Sequence, residues 1–349
     1  MKFNKKIYVG GKVISEESPT FIIAEAGVNH GGSMKVAKAL IDLAAKANVD
    51  AIKFQTFKTE NLILEDTRKA PYQEKTTNKD ESQYDMLKKL ELTLEQNLEL
   101  KEYCLKQEVI FLTTPFDEES LDSLETLDLP AYKISSTDVT NLPFLKKIAK
   151  KGKPIFLSTG MSYFSEVKAA LKVLEKYNKN VVLMQCTANY PIEDNEVNLL
   201  VIDTFKDSFD LLLGYSDHSK GIGAAPFSIP MGSKVVEKHF TLSQNSEGPD
   251  HAASLSPEEL MDFVSIVRKV DTFMGSGVKE PTSSERSTRK ALQKYLVSSQ
   301  DIKKGERFSE ENTTAKRTGG RGISPINFNK IVGKVACRNY RKNEVIEID

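Results

Sequence analysis

Short runs of branched apolar residues recur along the chain, and each ends in polar groups before a helical stretch begins. They read FIIAEAG (21–27), AIKFQTF (51–57), VIFLTTPF (109–116) and AYKISS (131–136). Four more follow: PIFLSTG (154–160), VVLMQCT (181–187), LLLGYSDH (211–218) and KVVEKHF (234–240). Runs of this length predict buried strands. Between them lie helical patterns such as SMKVAKALIDLAAKANV, opened by Ser33 as an N-cap, and SEVKAALKVLEKY. Eight strand–helix units in succession predict an α/β protein built on a (β/α)8 TIM barrel. The alternative, a doubly wound open sheet, would carry a GxGxxG fingerprint after its first strand, which AGVNHGG does not supply.

Flanking segments complete the plan. IYVGGKVI (7–14) predicts a hairpin around Gly10-Gly11. MGSGVKEPTSSERSTRK, rich in Gly, Ser, Thr, Pro and charge, reads as a linker. The division expected is a barrel over 1–282 and a small, mostly β domain over 283–349. The stretch 58–81 lacks periodicity, and after the second barrel strand such a loop would lie on the catalytic face.

Composition narrows the function. Lys+Arg and Asp+Glu number 49 each, which argues against a general nucleic-acid or anionic-membrane binder. No apolar run approaches the ~18 residues of a membrane helix, and the N-terminus lacks the apolar core of a signal peptide. Three scattered cysteines, Cys104, Cys186 and Cys337, suit reduced thiols in a cytoplasmic protein better than a disulfide framework or zinc site.

In a barrel of this kind the chemistry sits at the C-terminal ends of the strands. Those ends carry Glu25, Lys53 and Gln55, Thr114, Lys133 and Ser136, Ser158, Cys186, Ser216 and His218, and Glu237, Lys238 and His239. Lys53 and Gln55 share strand parity. Two lysines and several hydroxyls around one barrel mouth suit a phosphate or carboxylate ligand. His218 and His239 end neighbouring strands, about 4.8 Å apart in a parallel sheet, so they could share one divalent ion. With no cysteine or further histidine expected nearby, that site would stay open to water and substrate. His30, beside Gly31-Gly32, has a structural and a catalytic reading of equal weight. His251 has two readings, a rim loop and an exposed surface position.

These blocks resemble the bacterial sialic acid synthase family. The likeness is carried in order by IIAEAGVNHGG, AIKFQTF, FLTTPFDEES, YKISSTDVTNLPFLKKIAKKGKPIFLSTGM, GYSDHS, EKHFT and GPDHAASL. IKKGERFSEENTTAKR and GISP are similar to the antifreeze-like (SAF) domain of these enzymes. The resemblance implies condensation of phosphoenolpyruvate with a 2-acetamido hexose and water, releasing phosphate. It implies that Lys53, Gln55, Thr114, Lys133, Ser136, Ser158 and Ser216 hold phosphoenolpyruvate. His218 and His239 would ligate Mn²⁺ or Mg²⁺. Glu25 would serve in proton transfer or electrostatic steering, and Phe116, Tyr190 and Asp250 would contact the sugar.

Arg317 resembles an arginine that one subunit inserts into the other's site, which implies a domain-swapped homodimer. N-acetylmannosamine is the first expected sugar and a 2,4-diacetamido-2,4,6-trideoxyhexose, giving N,N'-diacetyllegionaminate or pseudaminate, the second. A metal-dependent pyruvate aldolase and a non-catalytic carbohydrate-binding protein are remoter alternatives. Gln185 and Asp138 depart from the family's usual His and Glu, and Ala188 stands where some relatives carry Asn.

Overall fold

In a computed structural model that describes residues 1–78 and 80–347, the chain divides into two units, 1–275 and 276–349. The first unit opens with an antiparallel hairpin, β1 (Lys6–Val9) and β2 (Lys12–Ser15). Eight parallel strands follow. They are β3 (Phe21–Gly27), β4 (Ala51–Thr56), β5 (Ile110–Pro115), β6 (Tyr132–Ile134), β7 (Ile155–Ser158), β8 (Val181–Cys186), β9 (Leu212–Asp217) and β10 (Ser233–His239). Each of the eight apolar runs is a strand. β10 pairs with β3, bringing the last strand back to the first, and β5 and β6 lie side by side to complete the ring.

Strand alternation separates two cores. One set of alternate residues, including Ile22, Ile52, Leu157, Leu183 and Val236, packs outward against the helices. The 13-residue helix Met34–Lys46 shows how the sequence achieves this. Ser33 caps it through Val36 N, and its Ala37, Leu40, Ile41 and Ala44 fall on one buried stripe. The other set, including Phe21, Ile23, Leu112, Phe156, Val182 and Met184, fills the lumen together with Ile7, Val9 and Ile14 of the hairpin. The hairpin therefore plugs the end of the barrel where the strands begin. Gly10 at its turn has φ +54°, and a Cβ there would come within 2.7 Å of Ile110. Asp50 ties this end together, accepting from Ile22 N at 2.7 Å, Lys12 Nζ at 2.5 Å and Arg268 Nη2 at 2.7 Å.

The consequence is positional. Lumen-facing positions are apolar where the strands start and polar where they end. Glu25 follows Ile23 on the same parity, Lys53 follows Ala51, and Glu237 follows Val235.

The second unit holds β11 (Lys294–Ser298) paired antiparallel with β12 (Thr313–Arg317), around a small core of Leu296, Ile302, Phe308, Ile331, Ala336, Tyr340 and Ile346. Two expectations need correction here. The boundary falls at 275/276 rather than 282/283. Half of the expected linker is a helix, Ser283–Leu292, started by a capping box in which Thr282 and Glu285 exchange hydrogen bonds. Its Ser/Thr/Glu content reads as linker by composition, but the Thr-x-x-Glu spacing is a helix start.

The 58–81 stretch is likewise not structureless. Short helices at Thr59–Leu62 and Gln73–Thr76 are followed by Gln83–Lys88. Lys69 pins the segment by bonding Thr77 Oγ1 at 3.0 Å and Asn78 O at 2.7 Å. Lys79 of that stretch lies outside the described residues.

Candidate active site

A cavity of about 460 Å³ opens at the C-terminal ends of the strands. Thirteen of the fourteen expected site residues line it: Glu25, Lys53, Gln55, Thr114, Phe116, Lys133, Ser136, Ser158, Tyr190, Ser216, His218, His239 and Asp250. The fourteenth, Arg317, ends β12 in the second unit, where it is exposed.

At the floor lies a buried network of four charges. Lys53 Nζ stands 2.7 Å from Glu25 Oε2 and 3.8 Å from Glu237 Oε2, and Lys133 Nζ stands 3.5 Å from Glu237 Oε1. Gln55 donates to Glu25 Oε1 at 3.1 Å, Ser216 donates to Glu237 Oε1 at 3.0 Å, and Lys53 donates to Thr114 Oγ1 at 3.1 Å. Every charged side chain of the network is at most 4% exposed. Isolated ions at such depth would be untenable, so each needs the others. Burial pushes the Glu25 carboxyl up to about 7, with Lys53 opposing. Burial holds Lys133 below the usual lysine range. For Lys53 burial acts in the same direction, but the charges of Glu237 and Glu25 outweigh it and the value rises. Glu237 is held low because the two lysines outweigh its burial.

Strand sequence alone left Glu237 without a role. The available signal was its parity, shared with His239 two residues on. Its partners Lys53 and Lys133 come from β4 and β6, across the lumen, and no local pattern reports such a meeting.

The imidazoles of His218 and His239 stand 5.3 Å apart, centroid to centroid. The Tyr190 ring lies 4.1 Å from His218 and meets His239 edge-on at 5.4 Å. His218 Nδ1 is 2.8 Å from Thr187 O, a contact that orients the ring. Nδ1 of His239 has no hydrogen-bond partner, though Asp250 Oδ2 stands 3.8 Å away. Burial keeps the His239 ring neutral and pushes the Asp250 carboxyl up to about 6. The expectation of no cysteine nearby is corrected: Cys186 Sγ lies 3.8 Å from His218 Nδ1. Burial would raise that thiol, but His218 outweighs it and the thiol is held low. Among the described residues no group of three or more His, Cys, Asp or Glu is arranged to hold a metal ion. Two imidazoles, one with an unpartnered nitrogen, remain as an open donor pair.

Ser158 Oγ is buried, unpartnered and part of the cavity lining. A buried hydroxyl with no partner is costly unless a ligand supplies one. Tyr72, missed in the sequence, reaches the cavity from the segment after β4 and packs its ring, tilted by 39°, against Tyr190 at 5.1 Å.

The remaining sequence candidates fall elsewhere. His30 is buried, and its Nδ1 accepts from Gly32 N at 3.0 Å within the tight corner. His251 is buried and bonded to Thr241 Oγ1 at 2.7 Å, so it is not a surface histidine. Of the three departures, Ala188 lines the cavity. Gln185 lines a separate groove with Phe164 and Phe205, and the Asp138 carboxylate is bonded to Asn141 at 3.0 Å.

Comparison with known proteins identifies the family. The NeuB family matches residues 40–279 and the SAF domain matches residues 293–349. The chain is 48% identical to an N,N'-diacetyllegionaminic acid synthase of Campylobacter jejuni, over 94% of this chain and 98% of the relative. It is 40% identical to a protein of the same name from Legionella pneumophila, over 97% and 96%. It is 32% identical to the human N-acetylneuraminate-9-phosphate synthase, over 96% and 94%. Among solved structures, the N-acetylneuraminic acid synthetase of Leptospira borgpetersenii, in complex with citrate, superposes with a TM-score of 0.74 at 33% identity, covering 82% of this chain and 96% of that one. The chain belongs to the NeuB family and carries a C-terminal SAF domain.

Proposed function

We propose that this enzyme is a nonulosonate synthase. It joins phosphoenolpyruvate to the aldehyde of a 2-acetamido sugar, adds water and releases phosphate. The observation that carries the proposal is the pair of buried lysines, Lys53 and Lys133, in one cavity with the unpartnered Ser158 hydroxyl. Together with Gln55, Thr114, Ser136 and Ser216 they would hold the carboxylate and phosphate of phosphoenolpyruvate.

In the reaction, carbon 3 of phosphoenolpyruvate attacks the sugar aldehyde and forms the new C–C bond. Water adds to carbon 2, and the C–O bond to phosphate breaks. Glu25, with its carboxyl pushed up to about 7, would take or return a proton near neutrality. As a carboxylate beside Lys53 it also steadies positive charge developing on carbon 2. Lys53 and Lys133 neutralise the departing phosphate. Phe116, Tyr190 and Asp250 position the sugar.

The donor pair fits a divalent ion such as Mn²⁺ or Mg²⁺. His239 is kept neutral, its Nδ1 is unpartnered, and Thr187 orients the His218 ring. When bound, the ion would supply Lewis-acid polarisation of the sugar aldehyde.

Relatives named N,N'-diacetyllegionaminic acid synthase, at 48% and 40% identity, favour a 2,4-diacetamido-2,4,6-trideoxyhexose as the sugar. N-acetylmannosamine is the second reading, supported by the N-acetylneuraminic acid synthetase of Leptospira borgpetersenii at 33% identity. We further propose a cytoplasmic homodimer in which Arg317 of one subunit serves the cavity of the other. No helix among the described residues is long and apolar enough to cross a membrane.

Purified protein with Mn²⁺ and phosphoenolpyruvate should release phosphate only when a suitable 2-acetamido sugar is added. Absence of sugar-dependent release across a panel of such sugars would sink the synthase reading. His218→Ala and His239→Ala should each stay folded and lose Mn²⁺-dependent turnover roughly a hundredfold or more, as several kcal/mol of Lewis-acid stabilisation disappear. Full activity in either variant would refute the shared site. Mixing Glu25→Ala protein with Arg317→Ala protein should restore activity above the sum of the two alone. No gain after subunit exchange would refute the swapped arrangement.

A further inference from the structure

The cavity has two chemically different sides. One carries the four buried charges and the imidazoles. The other is apolar and belongs to a small hydrophobic cluster separate from the barrel cores. That cluster gathers Val28, Phe57, Met86 and Leu90, with Leu62, Leu87 and Phe116 packed against it. Five of its members, Val28, Phe57, Leu62, Leu87 and Phe116, also line the cavity. Phe57 and Phe116 meet edge to face, with centroids 6.3 Å apart. Tyr72 adds its ring and packs at a tilt against Tyr190, which in turn covers His218.

This wall is preformed. Besides the Lys69 bonds, Gln73 Oε1 accepts from Ala70 N at 2.9 Å and from Gln83 Nε2 at 3.0 Å, and both glutamines border the cavity. The wall is thus a fixed surface of methyl groups and rings, with side-chain amides beside it.

Resting on the synthase reading above, we infer that the segment between β4 and the helix Leu94–Lys106 is the specificity element. It selects a sugar whose end remote from the aldehyde is apolar and acetylated, a 2,4-diacetamido-2,4,6-trideoxyhexose, over a sugar with free hydroxyls there. Phosphoenolpyruvate takes the charged side, so the sugar's far end meets the apolar wall. A 6-methyl group removes apolar surface from water there. A 6-hydroxyl in the same place would lose its water partners and meet carbon. The acetamido group at carbon 4 brings a further methyl, and an amide matched to Gln73 and Gln83. Tyr72 and Leu87 are the specificity-determining residues with the least involvement in the barrel itself.

The test measures kcat/KM for phosphate release with 2,4-diacetamido-2,4,6-trideoxymannose and with N-acetylmannosamine, in the full-length protein with Mn²⁺. The intact enzyme should favour the first by about a hundredfold, the scale on which an apolar pocket discriminates a methyl from a hydroxyl. Leu87→Asn should narrow that ratio about tenfold, through loss on the deoxy sugar, with KM for phosphoenolpyruvate unchanged. Tyr72→Ser, at a half-buried position, provides the same reading where Leu87→Asn fails to fold. Equal or greater efficiency with N-acetylmannosamine, or an unchanged ratio in a folded variant, overturns the inference and leaves the synthase reading standing. Phosphate release with neither sugar overturns both.

Discussion

Two lysines and two glutamates, buried together at the mouth of the barrel, constrain the rest of the structure. Lys53, Lys133, Glu25 and Glu237 come from four strands, and none has enough water around it to be stable alone. Removing one member of such a network leaves an uncompensated charge, at a cost of about 3–5 kcal/mol. The strands must therefore hold a register that lets all four meet. β10 and β3 place His239 opposite Glu25, and β3 and β4 place Glu25 opposite Lys53. The apolar lumen and the hairpin plug beneath supply a dry floor that strengthens the charges above.

The network also explains why an anion has somewhere to go. With both lysines paired to carboxylates, the resting network carries no net charge and leaves no cation exposed. An incoming phosphate and carboxylate would find Ser158 unpartnered and Glu25 near the point of accepting a proton. Protonation of Glu25 would free Lys53 for the ligand. The charged side and the apolar wall would then divide the cavity between two substrates of opposite character.

Much of this was legible in the sequence, because strand parity is local. Glu25, Lys53, His218 and His239 each follow apolar lumen residues on the same face, so their convergence could be read from alternation and the barrel rule. What escaped was non-local. Glu237 matters through partners on β4 and β6. Tyr72 matters because the segment after β4 folds on its own staples, and its short helices are too brief to leave a period. Its polar neighbours left His251 open between a rim loop and a surface position, and the turn that carries it is packed and hydrogen-bonded. The helix Ser283–Leu292 was hidden by composition, although its capping box was in plain view.

The central claim is that the two buried lysines form the anion site. Its most direct test is calorimetric titration of phosphoenolpyruvate into the sugar-free protein, beside Lys53→Met and Lys133→Met variants whose folding is checked by thermal melting. Loss of a charge-assisted hydrogen bond to the anion is worth about 1.5–3 kcal/mol, so each variant should bind at least tenfold more weakly. A folded variant of either lysine that binds phosphoenolpyruvate as tightly as the intact protein would contradict the account.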